Sequence, residues 1–151
     1  ERLKVWVTVS SKEPENCLKL IPKAVVVGIG CRKGTDGQML SRAVEQMLDQ
    51  HSISRHAVAG VATIDIKKEE PAILAYAQKY KVPFATYPAE QLEKITEVSA
   101  TSRFVKQVTG VDNVCERAVR TADADGELLC PKCIRAQMTV ALTETEVTLQ
   151  F

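Results

Sequence analysis

Three stretches hold residues whose types and spacing suit chemistry: Gly28-Ile29-Gly30-Cys31-Arg32-Lys33-Gly34-Thr35, the group Asp65, Lys67 and Glu69, and Cys130-Pro131-Lys132-Cys133. In the first, glycines leave an apolar run and enter a helical pattern. Such glycines let a backbone turn tightly and approach a ligand, and amides at a helix start attract an anion, here beside Arg32 and Lys33. The spacing is not the dinucleotide fingerprint G-x-G-x-x-G, since one extra residue precedes the third glycine and no acidic residue ends the next strand at the expected distance. It is not a P-loop either, because Thr35 follows Gly34 with no lysine between. An anionic ligand is the expectation, and a plain strand-to-helix turn with solvated basic residues is the competing reading.

Asp65, Lys67 and Glu69 come directly after a second apolar run, at the edge where open α/β sheets place ligands. A carboxylate there can activate water and a lysine can neutralise developing charge, although helix capping and solvation are simpler uses. Thioredoxin-like C-x-x-C follows a strand and opens a helix, whereas Cys130 and Cys133 fall between two strand-like runs. Zinc would want a second cysteine pair, so neither a metal nor a redox role is expected. Arg32 and a helix start would lower the thiol pKa of Cys31, with a small packing residue as the commoner explanation. Glu116 and Arg120 have the i,i+4 spacing of a surface ion pair, worth only about 0.3–0.5 kcal/mol. His51 and His56 read as solvated turn residues, and the aromatics show no interleaving with basic residues, so no nucleic-acid surface is expected.

The elements that must position these residues follow from periodicity. Leu3 to Val9 alternates as a half-buried strand, and residues 1–23 read as a lead-in strand and linker from a preceding region. The main domain, 24–151, opens with the apolar run Ala24 to Ile29, suited to a strand covered on both faces. Met39, Leu40, Ala43, Val44, Met47 and Leu48 recur at helical spacing, with Thr35 and Gln38 as a capping box. A second strand over Ala57 to Ile64 leads to a helix opened by Pro71 and carrying Ile73, Leu74, Ala77 and Tyr80. Val82 to Tyr87 is a third strand, and Pro88 opens a brief helix with Ala89, Leu92 and Ile95 on its apolar face. Phe104, Val105 and Val108 form a short helical face ended by Gly110, and Asp112 caps a helix carrying Val114, Cys115, Ala118, Val119 and Ala122. Glu127 to Leu129, Ala136 to Leu142 and Val147 to Phe151 read as closing antiparallel strands, with Glu144-Thr145 as a turn. The βαβαβα rhythm followed by strands predicts a three-layer α/β/α domain with a mixed, partly parallel sheet.

Composition bounds the rest. The 151 residues suffice for one domain, and 45% hydrophobic with 26% charged residues is a globular balance. A net charge of +1 gives no global field of the kind that non-specific nucleic-acid binders use. No apolar run approaches the roughly 18 residues of a membrane span. Five cysteines at irregular spacing argue against a disulfide framework and for a reducing cytoplasm.

The glycine stretch together with Ala62-Thr63-Ile64-Asp65-Ile66-Lys67-Lys68-Glu69-Glu70-Pro71 resembles the C-terminal domain of the cobalamin-biosynthesis protein CbiG and its relative CobE. Further matches follow in order: Phe84 with Tyr87 to Leu92, Ser102-Arg103-Phe104-Val105, Thr109 to Ala118, and Pro131-Lys132 ahead of Met138-Thr139-Val140-Ala141. The resemblance spans roughly residues 18 to 142. It implies a role in vitamin B12 synthesis: hydrolysis of cobalt-precorrin 5A, opening its lactone and expelling acetaldehyde, to give cobalt-precorrin 5B. The cobalt belongs to the substrate, and no resident cofactor is implied. A corrinoid intermediate is ringed with carboxylates, which suits Gly28, Gly30, Cys31, Arg32, Gly34 and Thr35 as a substrate-binding loop, joined by Lys132 at a motif position. Asp65 or Glu69 would be the base by placement, Lys67 the electrostatic partner, and Glu116 a further catalytic candidate by motif. The alternative, by likeness to CobE, is a non-catalytic module that binds a corrinoid intermediate and hands it between pathway enzymes. Expected partners are the corrinoid, other enzymes of the pathway and a second copy of the chain, with no nucleic acid and no membrane.

Overall fold

The computed structural model describes residues 2–98, 113–135 and 137–148. Two short parallel strands come first, β1 (Val5–Val7) and β2 (Leu18–Leu20), forming a sheet of their own. The main sheet has five strands in the order β5-β4-β3-β7-β6, with β3 (Val25–Gly30), β4 (Val58–Ile64), β5 (Phe84–Tyr87), β6 (Glu127–Arg135) and β7 (Met138–Glu144). β3, β4 and β5 run parallel, while β7 lies antiparallel to both β3 and β6. The helices are α1 (Gly37–Gln50), α2 (Pro71–Tyr80), α3 (Ala89–Glu93) and α4 (Val114–Ala122).

The two faces of the sheet are set by the period-two alternation along β3. Val25, Val27 and Ile29 pack with Leu40, Val44, Met47 and Leu48 of α1 and Ile73 and Tyr76 of α2. Val26 faces the other way, toward a layer built from Leu92 of α3 and Val114, Ala118 and Val119 of α4. This is the three-layer α/β/α architecture with a mixed sheet. In α1 the buried positions Leu40, Ala43, Val44, Met47 and Leu48 follow the i, i+3, i+4, i+7, i+8 rule, and each large one contributes about 1.5–3 kcal/mol by leaving water. Met39 is on the rim, 45% exposed.

Several local expectations need correction. Leu3 to Val7 is exposed rather than half-buried, only Val5–Val7 is a strand, and half-burial begins at Thr8 and Val9. The lead-in is nonetheless tied down, since Ser54 N–H donates to the Val9 carbonyl at 2.7 Å and Val9 and Ile21 pack on the main core. The α1 cap is Asp36, whose carboxylate accepts from the amides of Gln38 and Met39; Thr35 Oγ1 instead donates to the Arg32 carbonyl at 2.6 Å. Leu74 is exposed and Ala72 and Tyr76 are buried, so the inner stripe of α2 is turned from the expected one. The N-cap of α4 is Asn113, in the left-handed region at φ 47°. The face expected over Phe104 to Gly110, and Asp112, lie outside the described residues.

The tail also differs. Glu127–Arg135 is one continuous strand, so Cys130 and Cys133 sit inside β6 rather than between two runs. Pro131 cannot donate to a ladder, and the β6–β7 register shifts on both sides of Cys130, which is how a strand accommodates that proline. The hairpin turns before Met138, where Gln137 has φ 67°, and not at Glu144-Thr145; residues 145–148 are not strand. Residues 149–151 of the last expected run are outside the described residues. No helix among the described residues is long and apolar enough to cross a membrane.

Candidate functional site

Parallel pairing brings the ends of β3 (Gly30), β4 (Ile64) and β5 (Tyr87) to one edge of the sheet. The antiparallel register of β7 puts Thr139 opposite Gly30, so the β6–β7 turn rises at that same edge. Two of the segments that leave it carry candidate residues: the loop from Cys31 to Asp36, which enters α1, and the 3₁₀ turn Asp65–Lys67, which leads to α2. The Thr63 hydroxyl, fully buried, donates to the Ile29 carbonyl at 2.6 Å and locks β4 against β3 just below.

Each of the first two glycines of the loop motif has a packing reason. A Cβ on Gly28 would lie 2.1 Å from the Cys115 carbonyl oxygen and 2.7 Å from Val119 Cγ1, so this glycine lets α4 approach the sheet. A Cβ on Gly30 would lie 2.4 Å from Thr139 Oγ1, which donates to the Gly30 carbonyl. Gly34 is different: it adopts φ +77° with open space around it, a conformation that costs an L side chain about 1–2 kcal/mol. Its N–H is held by Oε1 of Glu70 at 3.1 Å.

The expectation of free helix-start amides is therefore corrected. Asp36 already satisfies Gln38 and Met39, Glu70 satisfies Gly34, and Thr35 N–H bonds the Arg32 carbonyl at 3.3 Å. Carboxylates and a carbonyl of the chain occupy these donors, and the basic side chains Arg32, Lys33 and Lys67 are the charged groups suited to an anionic partner. Arg32 and Lys33 are exposed, Lys67 and Asp65 are half-buried, and Glu69 is exposed. Lys67 and Glu70 both act electrostatically on the Cys31 thiol, which brings the loop and the 65–70 turn together. Burial pushes that thiol up, outweighing the lowering by Thr35 and Lys67, so Cys31 is not the activated thiol that its basic neighbours suggested.

A second group of polar residues lies on the α4 side of the same strand end. Glu116 is not a surface residue paired with Arg120. It is 2% exposed, and Asn113 Nδ2 donates to it at 2.5 Å, while Arg120 reaches the Gly126 carbonyl at 3.5 Å. The first turn of α4 packs onto Gly28, and this turns position 116 inward. Cys115 Sγ donates to Asn113 Oδ1, and burial pushes its thiol up to about 12 despite nearby Thr139 and Lys132. Lys132, half-buried in β6, is thereby within electrostatic reach of Cys115, as is Glu116. The edge thus gathers Arg32, Lys67 and Asp65 on one side of β3 and Glu116, Asn113 and Lys132 on the other. A carboxylate here can take a proton from water and a lysine can stabilise an oxyanion.

Glu70, Asn113 and Thr139 were missed in the sequence. Glu70 had a signal: a residue before proline is pushed to extended backbone, so Glu70 and not Glu69 had to turn the chain into α2. Thr139 had only its place in the motif at 138–141, because strand register alone sets it beside Gly30. The C-x-x-C pair shows no convergence: all five cysteines are free, and Cys130 Sγ donates to the Pro131 carbonyl. Among the described residues no three His, Cys, Asp or Glu side chains gather in a way that could hold a metal ion. His51 and His56 are exposed, the former with Nδ1 2.9 Å from the Met47 carbonyl. A cleft of about 390 Å³ between the lead-in and the end of α1, lined by Glu13, Lys19, Glu45, Asp49, Arg55 and His56 among others, contains none of the candidate residues.

Comparison with known proteins places the chain in a family. Residues 25–143 match the family described as Cobalamin synthesis G C-terminus. The cobalt-precorrin-5A hydrolase of Salmonella typhimurium is 33% identical over 96 residues, which is 64% of this chain and 27% of that protein. Protein CobE of Sinorhizobium sp is 33% identical over 120 residues, 78% of each chain. The crystal structure of CobE, a protein from the cobalamin (vitamin B12) biosynthetic pathway, superposes with a TM-score of 0.76 at 25% identity, covering 83% of this chain and 93% of that one. The chain spans only 27% to 43% of the length of the hydrolases it matches. The matched segment begins with the first residue of β3 and ends one residue short of the end of β7, so it takes in all five strands of the main sheet but for Glu144, and the chain belongs to the cobalamin synthesis G C-terminal family.

Proposed function

We propose that this chain holds cobalt-precorrin 5A at the carboxyl edge of β3 and β4 and takes part in its hydrolysis to cobalt-precorrin 5B, with lactone opening and release of acetaldehyde. The observation that carries the reading is the convergence of the 31–35 loop with the turn after β4, where Lys67 comes within electrostatic reach of Cys31 and half-buried Asp65 lies two residues along the same turn. A corrinoid periphery is a ring of carboxylates, and guanidinium and ammonium groups meet these with charge-assisted hydrogen bonds. The lactone needs water delivered at its carbonyl and charge stabilised as the carbon fragment leaves. Asp65 supplies the base and Lys67 the counter-charge, with Arg32, Lys33 and Lys132 holding the acidic rim. The cobalt arrives in the substrate.

A second reading is favoured by the match to CobE over 78% of both chains. In it the domain binds the corrinoid and passes it to another pathway enzyme without transforming it. Anaerobic incubation with cobalt-precorrin 5A, following acetaldehyde release and binding in one sample, separates the two. Release that falls by about 100-fold in Asp65→Asn with binding kept is the expected result. Tight binding that Arg32→Ala weakens, with no release from the wild type, selects the carrier. Absence of binding refutes both.

A further inference from the structure

Glu70 stands where an N-cap would, yet it caps nothing in its own helix. It precedes Pro71 in extended backbone, φ −65° and ψ 114°, and its side chain makes no bond to the first amides of α2. It is instead 6% exposed and reaches 36 residues back along the chain to the N–H of Gly34. Its own N–H donates to the Lys67 carbonyl at 3.0 Å, closing the turn that carries Asp65 and Lys67. A buried carboxylate is costly unless its oxygens are bonded. This one is directed at a loop residue that is glycine, left-handed and otherwise in open space. Among the described residues, no other side-chain hydrogen bond joins the loop after β3 to the turn after β4.

Resting on the corrinoid reading above, we infer that Glu70 is a positioning residue that clamps the 31–35 loop to the 65–70 turn, so that the basic side chains of both segments meet the substrate's carboxylates at one fixed spacing. Glu70 does not touch the substrate in this arrangement. It spends its carboxylate on a backbone amide and leaves the acidic rim to Arg32, Lys33 and Lys67. Its nearness to Cys31, seen in its electrostatic effect on that thiol, agrees with a position behind the loop.

The test compares Glu70→Ala and Glu70→Gln with the wild type, first without substrate and then with cobalt-precorrin 5A. Hydrogen exchange of the Gly34 amide, read by NMR, rises at least about tenfold in Glu70→Ala, while the amides of β3 and β4 stay protected. Affinity for cobalt-precorrin 5A falls about tenfold in the same variant, and any turnover at saturation changes much less. Glu70→Gln keeps a carbonyl acceptor of the same reach and restores both within about threefold, which a merely destabilising change would not do. Unchanged Gly34 exchange in Glu70→Ala overturns the clamp, whatever the substrate does. A loosened Gly34 with unchanged affinity overturns the positioning role. If the wild type does not bind cobalt-precorrin 5A, the functional reading fails and the positioning role fails with it, while the exchange data still decide the clamp. If Glu70→Ala does not fold, Glu70→Gln decides: Gly34 exchange raised about tenfold or more in a folded Gln variant refutes the inference.

Discussion

Gly28→Ala tests why the loop motif begins with glycine. The added methyl would lie 2.1 Å from the Cys115 carbonyl oxygen, 2.7 Å from Val119 Cγ1 and 2.9 Å from the Cys115 carbonyl carbon. Ordinary contact begins at 3.4 Å, so α4 must retreat by more than about 1 Å, and the nearest obstacle is backbone that no rotamer change can move. Overpacking of this kind costs about 1–3 kcal/mol, and a backbone clash belongs at the upper end. For a chain of this length about 3 kcal/mol lowers Tm by about 6–12 °C and the urea midpoint by about 1–3 M. Gly30→Ala meets only the hydroxyl of Thr139, a side chain that can rotate, and is expected to cost about 1 kcal/mol. Gly37→Ala, whose methyl would stand 3.8 Å from Ala72 Cα in the first turn of α1, is expected to be neutral or slightly stabilising. Urea unfolding of the three variants should give that ranking with no ligand present. A Gly28→Ala protein as stable as the wild type would refute the packing argument and return this glycine to the role of a ligand cradle.

Other expectations follow from buried polar groups. Cys115 ionises near 9 when unfolded and at about 12 when folded, so stability is full below about pH 9 and falls as pH rises toward 12, by about 1.4 kcal/mol per unit. Urea unfolding of Cys115→Ala between pH 8 and 10.5 should show a shallower decline than the wild type, and equal slopes would contradict this. The Cys31 thiol, raised by burial and lowered by Lys67, should alkylate with a midpoint above its ordinary pKa, higher still in Lys67→Gln; a midpoint near neutral pH would refute the burial argument. Thr63→Val removes a buried bond to the Ile29 carbonyl and should cost about 1–2 kcal/mol. Thr143→Val should be neutral or stabilising in urea unfolding, because the Thr143 hydroxyl is buried with no partner among the described residues.

The fold was largely legible because burial on both faces leaves a mark in composition. Val25 to Ile29 and Val58 to Ile64 are near-continuous apolar runs, and the helices between them show their stripe at 3.6 spacing. The candidate site was legible in part. Asp65 and Lys67 could be placed at a strand's carboxyl end from chain order alone, and the structure brings Lys67 within electrostatic reach of Cys31 in the loop. Glu116 was misjudged as surface, since i,i+4 charge spacing says nothing about which side of α4 meets the sheet. Cys31 was misjudged as activated because charge neighbours show in sequence and desolvation does not.

The sequence by itself determined the α/β class, the order of the parallel strands' elements and the basic character of the loop, since these depend on residue type and local period. The tertiary structure decided what depends on register and on close approach between distant segments. Only the β3–β7 pairing sets Thr139 against Gly30, and only the docking of α4 on Gly28 buries Glu116. The bond from Gly34 to Glu70 spans 36 residues and gives the loop amide to a carboxylate of the chain. Local preferences act over a few residues, whereas the partner of a buried polar group is fixed by the whole packing arrangement, and for that reason the donors around this site could be assigned only after the chain had folded.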